Sequence, residues 1–281
     1  MCETTHATQS DVASTTPREA PGEAVDPIAL EPVDEVRITV LIDNVFDALM
    51  AGDHRTIRSG FGIPRAPAPQ FESGITPVGL VAEHGFSALV TTRRAGRETT
   101  ILFDAGLTPD GMITNADRLE VDLTAVQAVV LSHGHFDHAG GLAGLATRMG
   151  GQLPMVLHPQ AWTRRRNSLP GGHHQEMPTL SKRALAAEGF EVIERREPSL
   201  LADGSLLVTG EVDRTTEFER GMPPAHQAWD GSGWSHDPMV IDDQAVVVHL
   251  RGRGLVVLTG CSHAGAINIL RHARRLTGVD H

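Results

Sequence analysis

The chain has 281 residues, 40% of them hydrophobic, and its 35 acidic against 24 basic side chains give a formal net charge of −11. This length and composition allow one large domain or two small domains with a substantial core. The negative charge argues against a nucleic-acid partner held by general basicity, and no apolar stretch reaches the roughly 18–20 residues that a membrane span needs.

Cysteine usage and the first residues indicate the compartment. The two cysteines, Cys2 and Cys261, are far apart in sequence, so they imply no disulfide framework and fit a reducing cytosol. The first residues are polar and lack the positive start and apolar block of a signal peptide. We therefore expect a cytoplasmic protein with neither a membrane nor a nucleic acid as partner.

Residues 1–35 predict a disordered tail, because they are rich in Thr, Ala, Pro, Glu and Asp and contain few large apolar side chains. Order is expected from residue 36, so that residues 36–281 form one domain. Its first strand is predicted over Val36–Ile42, where β-branched residues alternate. Residues 51–75 contain Gly, Arg and Pro and predict a long loop that could lie over a site as a lid.

Apolar runs bounded by turn residues predict the remaining elements. Strands are expected at 78–82, 86–92, 99–103, 126–131, 155–159, 191–194, 205–209, 245–250 and 254–260, with helices at 140–149, 179–188 and 264–276 and some helix within 107–125. Residues 221–237 are predicted to be loop, in which Trp229 and Trp234 either line a pocket or pack as ordinary apolar residues. The Arg164–Arg166 run either meets an anionic substrate group or forms a solvated face.

Metal-ligand side chains are concentrated directly after the predicted strand at 126–131. His133, His135, Asp137 and His138 lie within six residues. Imidazole and carboxylate are ligands that divalent zinc, iron and manganese accept. A predicted helix follows, so these residues lie where a strand ends and a helix begins, which is where sites form in α/β proteins. The alternative is a surface loop, but an apolar strand that leads directly into four ligand-type residues is not typical of one.

The pattern His-x-His-x-Asp-His resembles the signature of the metallo-beta-lactamase superfamily. The resemblance implies an α/β fold, a four-layer αββα sandwich, and a site of one or two metal ions that activates water. His133 and His135 would hold one ion, and Asp137 and His138 a second. Asp137 and His138 are also the predicted catalytic residues.

A further residue follows from the same resemblance. Asp104 ends the predicted strand at 99–103, and Gly106 turns the chain. In the superfamily this Asp-x-Gly turn lies under the metals and orients a ligand histidine, an arrangement common around metal sites. The alternative is an aspartate that only marks the turn after a strand.

The last predicted strand also leads into ligand-type residues, Cys261 and His263, and then into a helix. We expect the two strand ends to converge, so that both residues join the metal ligands. Superfamily members usually place a bridging aspartate where Cys261 stands, and this departure leaves the bridging ligand open. Thiolate and imidazole both bind zinc or iron, whereas a buried free cysteine packed as a small apolar residue is the alternative.

Four segments narrow the resemblance to the branch named for 7,8-dihydropterin-6-methyl-4-(β-D-ribofuranosyl)aminobenzene-5′-phosphate synthase. They are Ala82–Ser87, Leu102–Gly106, Gly210–Arg214 and Thr259–Asn268. Members of this branch continue with Gly-Gly-Phe-His and His-Cys-Thr-Gly, and neither string occurs here. We therefore expect a domain that lacks its last C-terminal elements, either because the chain is a fragment or because its site is completed differently.

The resemblance implies a metal-dependent hydrolase or transferase that acts on an anionic, phosphate-bearing small molecule. The expected cofactor is one or two divalent ions, zinc first, with iron or manganese as alternatives. The competing hypothesis is a truncated, inactive or non-enzymatic metal-binding module. The sequence does not indicate an oligomeric state.

Overall fold

The computed structural model describes residues 27–59 and 64–281, which form sixteen strands and four α-helices. The strands are β1 (Glu35–Ile42), β2 (Arg65–Pro67), β3 (Ile75–Pro77), β4 (Ser87–Arg94), β5 (Arg97–Phe103), β6 (Val126–Val130), β7 (Leu153–Leu157), β8 (Arg165–Ser168), β9 (His174–Glu176), β10 (Phe190–Glu194), β11 (Ser199–Leu201), β12 (Leu206–Val208), β13 (His226–Trp229), β14 (Trp234–His236), β15 (Ala245–Leu250) and β16 (Gly254–Thr259). The helices are α1 (Gly111–Arg118), α2 (Leu142–Met149), α3 (Lys182–Ala187) and α4 (Ala266–Thr277).

Two sheets carry the fold. The first has the order β1-β4-β5-β6-β7-β10, antiparallel from β1 to β5 and parallel from β5 to β10. The second is antiparallel, with the order β11-β12-β15-β16. The facing surfaces of the two sheets bury a shared apolar layer that includes Val90, Phe103, Val130, Val208 and Val246. Strands buried in this way read as continuous apolar runs, which is why the sequence reveals them.

Helices cover the outer faces of both sheets. Met112 of α1 and Leu145 of α2 are completely buried in the cluster on the outer side of the first sheet. On the other side, Ala273 and Leu276 of α4 pack against Leu207 and Val247 of the second sheet. The layers therefore run helix, sheet, sheet, helix, and the predicted αββα sandwich is confirmed.

A small third sheet has the order β14-β13-β8-β9, and two of its strands, β13 and β14, lie in the stretch where we predicted only loop. The prediction for residues 221–237 is wrong, because β13 and β14 pair with each other and β13 also pairs with β8. β8 lies about 60 residues before β13, so no local sequence pattern indicates that these two strands pair. Trp229 and Trp234 stack edge to face across β13 and β14, with ring centroids 5.6 Å apart.

The strand predicted at 78–82 does not form. Its backbone groups bond to side chains of α1 instead of a neighbouring strand. Asn115 accepts a hydrogen bond from the Val81 amide at 2.9 Å and donates to the Val81 carbonyl at 2.8 Å, while Arg118 donates to the Gly79 carbonyl at 2.6 Å. These side chains satisfy backbone groups that a strand would otherwise have to pair.

The start of the ordered domain is earlier than predicted. The tail prediction for residues 1–26 lies outside the described residues, as does that part of the predicted loop at 51–75 which spans 60–63. Residues 27–34, which we placed in the tail, pack against the second sheet instead. Val33 is fully buried in the layer between the sheets, and its amide donates to the His249 carbonyl at 2.9 Å. Leu30 is buried as well, and Ile28 packs beside it against the second sheet, but three apolar residues between prolines and acidic residues form no strand or helix pattern.

Among the described residues no helix combines the length and apolar character that crossing a bilayer requires. The longest, α4, has 12 residues.

Candidate metal centre

The site lies at one edge of the sandwich, where strands of both sheets end. β5 ends before Asp104, β6 leads into residues 131–138, and β16 leads into residues 260–265. The side chain of His133 from the first sheet and that of His263 from the second meet, with their Nε2 atoms 3.2 Å apart. The convergence of two distant strand ends, on which the proposed site depends, is therefore present in the structure.

Two groups of side chains have ligand atoms that all lie within 4.8 Å of one another. The first contains His133, Cys261 and His263, and the second contains Asp137, His138 and Cys261. Cys261 thus belongs to both groups, at the position where the superfamily pattern suggested a bridging aspartate. The predicted pairing of Asp137 with His138 is present, whereas the partners that complete a triplet with His133 are Cys261 and His263 rather than His135.

The second group opens to solvent. Cys261 is exposed, and its Sγ lies 3.1 Å from Nε2 of the buried His138. Asp137 Oδ2 lies 3.6 Å from the same Nε2, and on its other side 3.3 Å from Nε2 of His84, whose side chain is 74% exposed. The exposed Cys261 thiol and His84 imidazole therefore lie in front of the buried Asp137 carboxylate and the buried histidines.

Asp104 lies beneath the cluster and is fully buried. Its Oδ1 accepts a hydrogen bond from the Ser132 amide at 2.7 Å, and its Oδ2 accepts from the Ser132 hydroxyl at 2.6 Å and from His138 Nδ1 at 2.7 Å. Because a carboxylate accepts here, Nδ1 of His138 carries a hydrogen in either charge state, and in the neutral ring the Nε2 lone pair is directed toward Cys261. The role inferred for Asp104, orienting a ligand histidine, matches this geometry.

The backbone at the site has two non-glycine residues with positive φ and a glycine with no room for a side chain. Asp104 has φ +59° and Ser262 has φ +57°, a left-handed conformation that costs most residues about 1 kcal/mol or more. Gly260 has no Cβ where one would meet Ser132 Oγ at 2.5 Å and Asp104 Oδ2 at 3.0 Å. A side chain at residue 260 would therefore displace the carboxylate that orients His138.

A buried segment, residues 242–244, joins the two strand ends. Asp242 Oδ2 accepts from the Gly134 amide at 2.7 Å, and Asp243 Oδ2 accepts from the Ala264 amide at 2.8 Å. The Gln244 side chain donates to the Leu131 carbonyl at 2.8 Å. Sequence reasoning treated this segment only as the residues before a strand, because polar residues next to a strand usually mark a turn.

Arg165 balances the charge of this segment. Its guanidinium is almost completely buried and forms ion pairs with Asp242 and, at 3.2 Å, with Asp237. Arg165 therefore fits neither of the two alternatives given for the Arg164–Arg166 run. Arg164 and Arg166 lie over the Trp234 ring, at 5.5 and 4.4 Å from its centroid, while Arg165 points inward. Alternation along β8 accounts for the difference.

His226, which lies within the predicted loop at 221–237, contacts the cluster. It is fully buried at the start of β13, and its Nε2 lies 3.0 Å from Nε2 of His135. Nδ1 of His135 in turn lies 2.9 Å from Nε2 of His133. A histidine between turn residues and tryptophans carries no spacing signal, so only the tertiary structure reveals it.

Burial dominates the electrostatics of the histidines. It lowers the pKa of His135 to about 2 and that of His263 to about 4, and it lowers the pKa of His133 well below its ordinary value. Burial also lowers the pKa of His138, but the charge of Asp104 and its hydrogen bond outweigh burial and raise that pKa well above the ordinary 6.5. At neutral pH three imidazoles are therefore uncharged, as metal ligation requires.

The donor set fits a divalent cation. Ligand atoms about 2.1 Å from a tetrahedral ion lie roughly 3.4 Å apart, and the separations of 3.1, 3.2 and 3.6 Å among these side chains are close to that value. Imidazole, thiolate and carboxylate together favour zinc or iron over magnesium or calcium.

A family model for the Metallo-beta-lactamase superfamily matches residues 81–259, more than half of the chain, including the whole His133–His138 motif. The chain belongs to the metallo-beta-lactamase superfamily. The matched range ends just before Cys261, so superfamily membership rests on the first strand end and on the fold.

Individual members of the superfamily are similar at modest identity. The 7,8-dihydropterin-6-methyl-4-(beta-D-ribofuranosyl)-aminobenzene-5'-phosphate synthase of Methanocaldococcus jannaschii is 22% identical over 204 residues, covering 71% of this chain and 68% of that protein. An uncharacterized protein of the same organism is 30% identical over 199 residues, covering 70% of each chain. A crystal structure described as a metal-dependent hydrolase of the beta-lactamase superfamily matches with a TM-score of 0.58 at 24% identity, covering 87% of this chain and 73% of the other. The predicted resemblance is confirmed.

Proposed function

We propose that this protein is a metal-dependent enzyme with a two-ion centre. The observation that supports the proposal most directly is the pair of ligand groups that share Cys261. His133 and His263, with His135 beside them, would hold one ion, and Asp137 and His138 the other. When bound, such ions supply a Lewis acid that polarises a substrate oxygen and a means of lowering the pKa of water to about 7.

The chain's own residues prepare the site for that chemistry. Asp104 keeps a hydrogen on Nδ1 of His138 and fixes the orientation of its ring, so Nε2 has only to lose a proton when an ion binds. Asp137 faces both the cluster and the exposed His84, so its carboxylate can accept a proton on the solvent side. The buried histidines exclude water from the side of the cluster that faces the protein interior. These features support the assignment of Asp137 and His138 as catalytic residues.

We propose an anionic, phosphate-bearing small molecule as substrate. The curated relative in Methanocaldococcus jannaschii is named as a synthase whose product carries a 5'-phosphate, and a divalent centre suits an anionic oxygen. Two reactions fit, hydrolysis of the substrate and transfer of a dihydropterin group. Zinc is the first candidate ion, and the cytoplasm the proposed location.

Elemental analysis tests the centre itself. The purified chain should contain one to two equivalents of zinc, iron or manganese, and His133→Ala should lose most of them. His272→Ala is the matched control, because His272 is also buried but lies on α4 and contacts Asp213, outside the cluster. A wild-type content close to zero, unchanged after incubation with each metal, would overturn the proposal in favour of an inactive module.

Turnover assays then separate the two reactions. The metal-loaded chain should act on a phosphodiester, a lactone, or a dihydropterin diphosphate offered with an aminobenzene riboside phosphate. Chelation should abolish turnover and added metal should restore it, whereas the His272→Ala control should keep it. Metal-loaded protein that is inert toward all three classes would contradict the proposed substrate class but not the centre.

A further inference from the structure

His226 makes two ring contacts that fix where its hydrogen lies. Its Nδ1 is 3.0 Å from the backbone oxygen of Asp237, and its Nε2 is 3.0 Å from Nε2 of His135. A carbonyl oxygen can only accept a hydrogen bond, so Nδ1 of His226 must carry a hydrogen. A neutral imidazole has one ring hydrogen, and Nε2 of His226 therefore presents a lone pair to His135.

The hydrogen-bond partners of His135 indicate which of its ring nitrogens carries a hydrogen. The hydrogen of a neutral His135 has two possible acceptors, Nε2 of His226 at 3.0 Å and Nε2 of His133 at 2.9 Å. Nε2 of His133 also faces Nε2 of His263 at 3.2 Å and can accept from it, whereas the buried lone pair of His226 faces His135. We therefore place the hydrogen of His135 on its Nε2. Its other nitrogen, Nδ1, is then bare. That bare atom lies 2.9 Å from Nε2 of His133, on the side of the ligand group that includes Cys261 and His263.

We propose that His226 is a positioning residue, which holds His135 in the tautomer with hydrogen on Nε2 and thereby directs the Nδ1 lone pair of His135 into the metal centre. The functional meaning of this inference rests on the proposed metal centre, but the tautomer itself does not. His226 would act through His135 and would touch neither the ion nor the substrate.

The third sheet makes this placement rigid. The Asp237 amide donates to the His226 carbonyl at 3.1 Å, so the acceptor of Nδ1 and the ring itself are joined by backbone. Arg165 forms ion pairs with both Asp237 and Asp242, and Asp242 in turn accepts from the Gly134 amide between the two ligand histidines. His226 and His135 are therefore held by one network of hydrogen bonds and buried ion pairs.

Long-range proton–nitrogen NMR of the uniformly ¹⁵N-labelled full chain, stripped of metal with a chelator, tests the tautomer directly. His135 and His226 resonances are assigned by their loss in His135→Gln and His226→Gln. The expected result is hydrogen on Nε2 for His135 and on Nδ1 for His226. Hydrogen on Nδ1 of His135, or a doubly protonated His226, would overturn the proposal without bearing on metal binding.

Metal affinity tests the consequence. Loss of a residue that orients a metal ligand typically weakens binding about 10–100-fold. His226→Leu should therefore weaken the affinity for cobalt or zinc by about that factor and mix the two tautomers of His135. His226→Gln, which keeps an accepting oxygen near the position of Nε2, should stay within about threefold of wild type.

The outcomes separate the two proposals. Wild-type affinity in His226→Leu, or an unchanged His135 tautomer in that variant, refutes the role of His226. Should His226→Leu fail to fold, the wild-type tautomer and the near-native affinity of His226→Gln still decide the question. Wild-type protein that binds no metal refutes the proposed function, while the NMR result stands on its own.

Discussion

Replacing Asp104 by Asn tests whether a buried charge pair orients His138. Asn removes the negative charge, keeps one oxygen that can accept from the Ser132 amide, and tolerates the left-handed backbone at this residue. His138 then loses its acceptor in a site where both side chains are almost completely buried. Removing one partner of a buried ion pair typically costs about 3–5 kcal/mol.

The pH dependence of this loss follows from the pKa of His138. Asp104 raises that pKa above the ordinary 6.5 in the folded protein. A raised folded pKa contributes stability that is fully present below the unfolded pKa and is lost as the pH rises through the folded pKa. Metal-free Asp104→Asn should therefore be destabilised by about 3–5 kcal/mol at pH 6, and by about 1–2 kcal/mol once His138 is neutral in both proteins.

Urea unfolding of the chelator-treated chain, followed by tryptophan fluorescence between pH 6 and pH 10, measures these free energies. Asp104→Ala serves as a second variant, because alanine adds a cost of about 1 kcal/mol for the positive φ at every pH. A destabilisation of Asp104→Asn that is the same at both ends of this range, or below about 1 kcal/mol at pH 6, would refute the reasoning.

Three further predictions follow from the same network. Cys261→Ser should lower the metal content of both ligand groups together, since both include that sulfur; elemental analysis that shows loss of only one of two equivalents would contradict the shared role. Burial raises the pKa of Asp243 from 3.8 to about 7, so the folded state retains a proton that the unfolded state releases, and stability should fall as the pH rises from about 4 to 7. Asp243→Asn should flatten that slope in urea titrations and add up to about 4 kcal/mol at pH 8, at about 1.4 kcal/mol for each pKa unit, and a slope equal to wild type would count against it. Arg165→Met should cost about 3–5 kcal/mol in thermal or urea unfolding, because it leaves Asp242 buried without its counter-charge, and a loss under 1 kcal/mol would show that the pair is dispensable.

The part of the fold that local pattern determines could be predicted from sequence. The apolar runs of β5, β6, β15 and β16 are buried between sheets and helices, so their composition reveals them, and the ligand residues at their ends follow by adjacency. The resemblance to the superfamily then supplied the layer order, which strand composition alone leaves open.

What could not be predicted depends on contacts between distant segments. β13 pairs with the adjacent β14 and with the distant β8, and the pairing with β8 includes His226, which contacts the cluster. The segment 242–244 reads as a polar turn, yet its side chains bond to backbone groups on both strand ends. Residues 78–82 have strand composition, but the Asn115 side chain forms hydrogen bonds with the amide and carbonyl of Val81, so these groups do not pair with a neighbouring strand. In each case the deciding partner is far away in sequence.

The convergence of the two strand ends also has a consequence for folding. The contacts of Cys261 with His138 and of His263 with His133 close loops of 123 and 130 residues. Closing a flexible loop of that length costs on the order of 4 kcal/mol of chain entropy, which only the packed sandwich can repay. Cation uptake should therefore be among the last events after synthesis, and a chain released from the ribosome would acquire its ion only when both halves have docked. The rate at which refolding protein binds metal would then report the rate at which the native topology is completed.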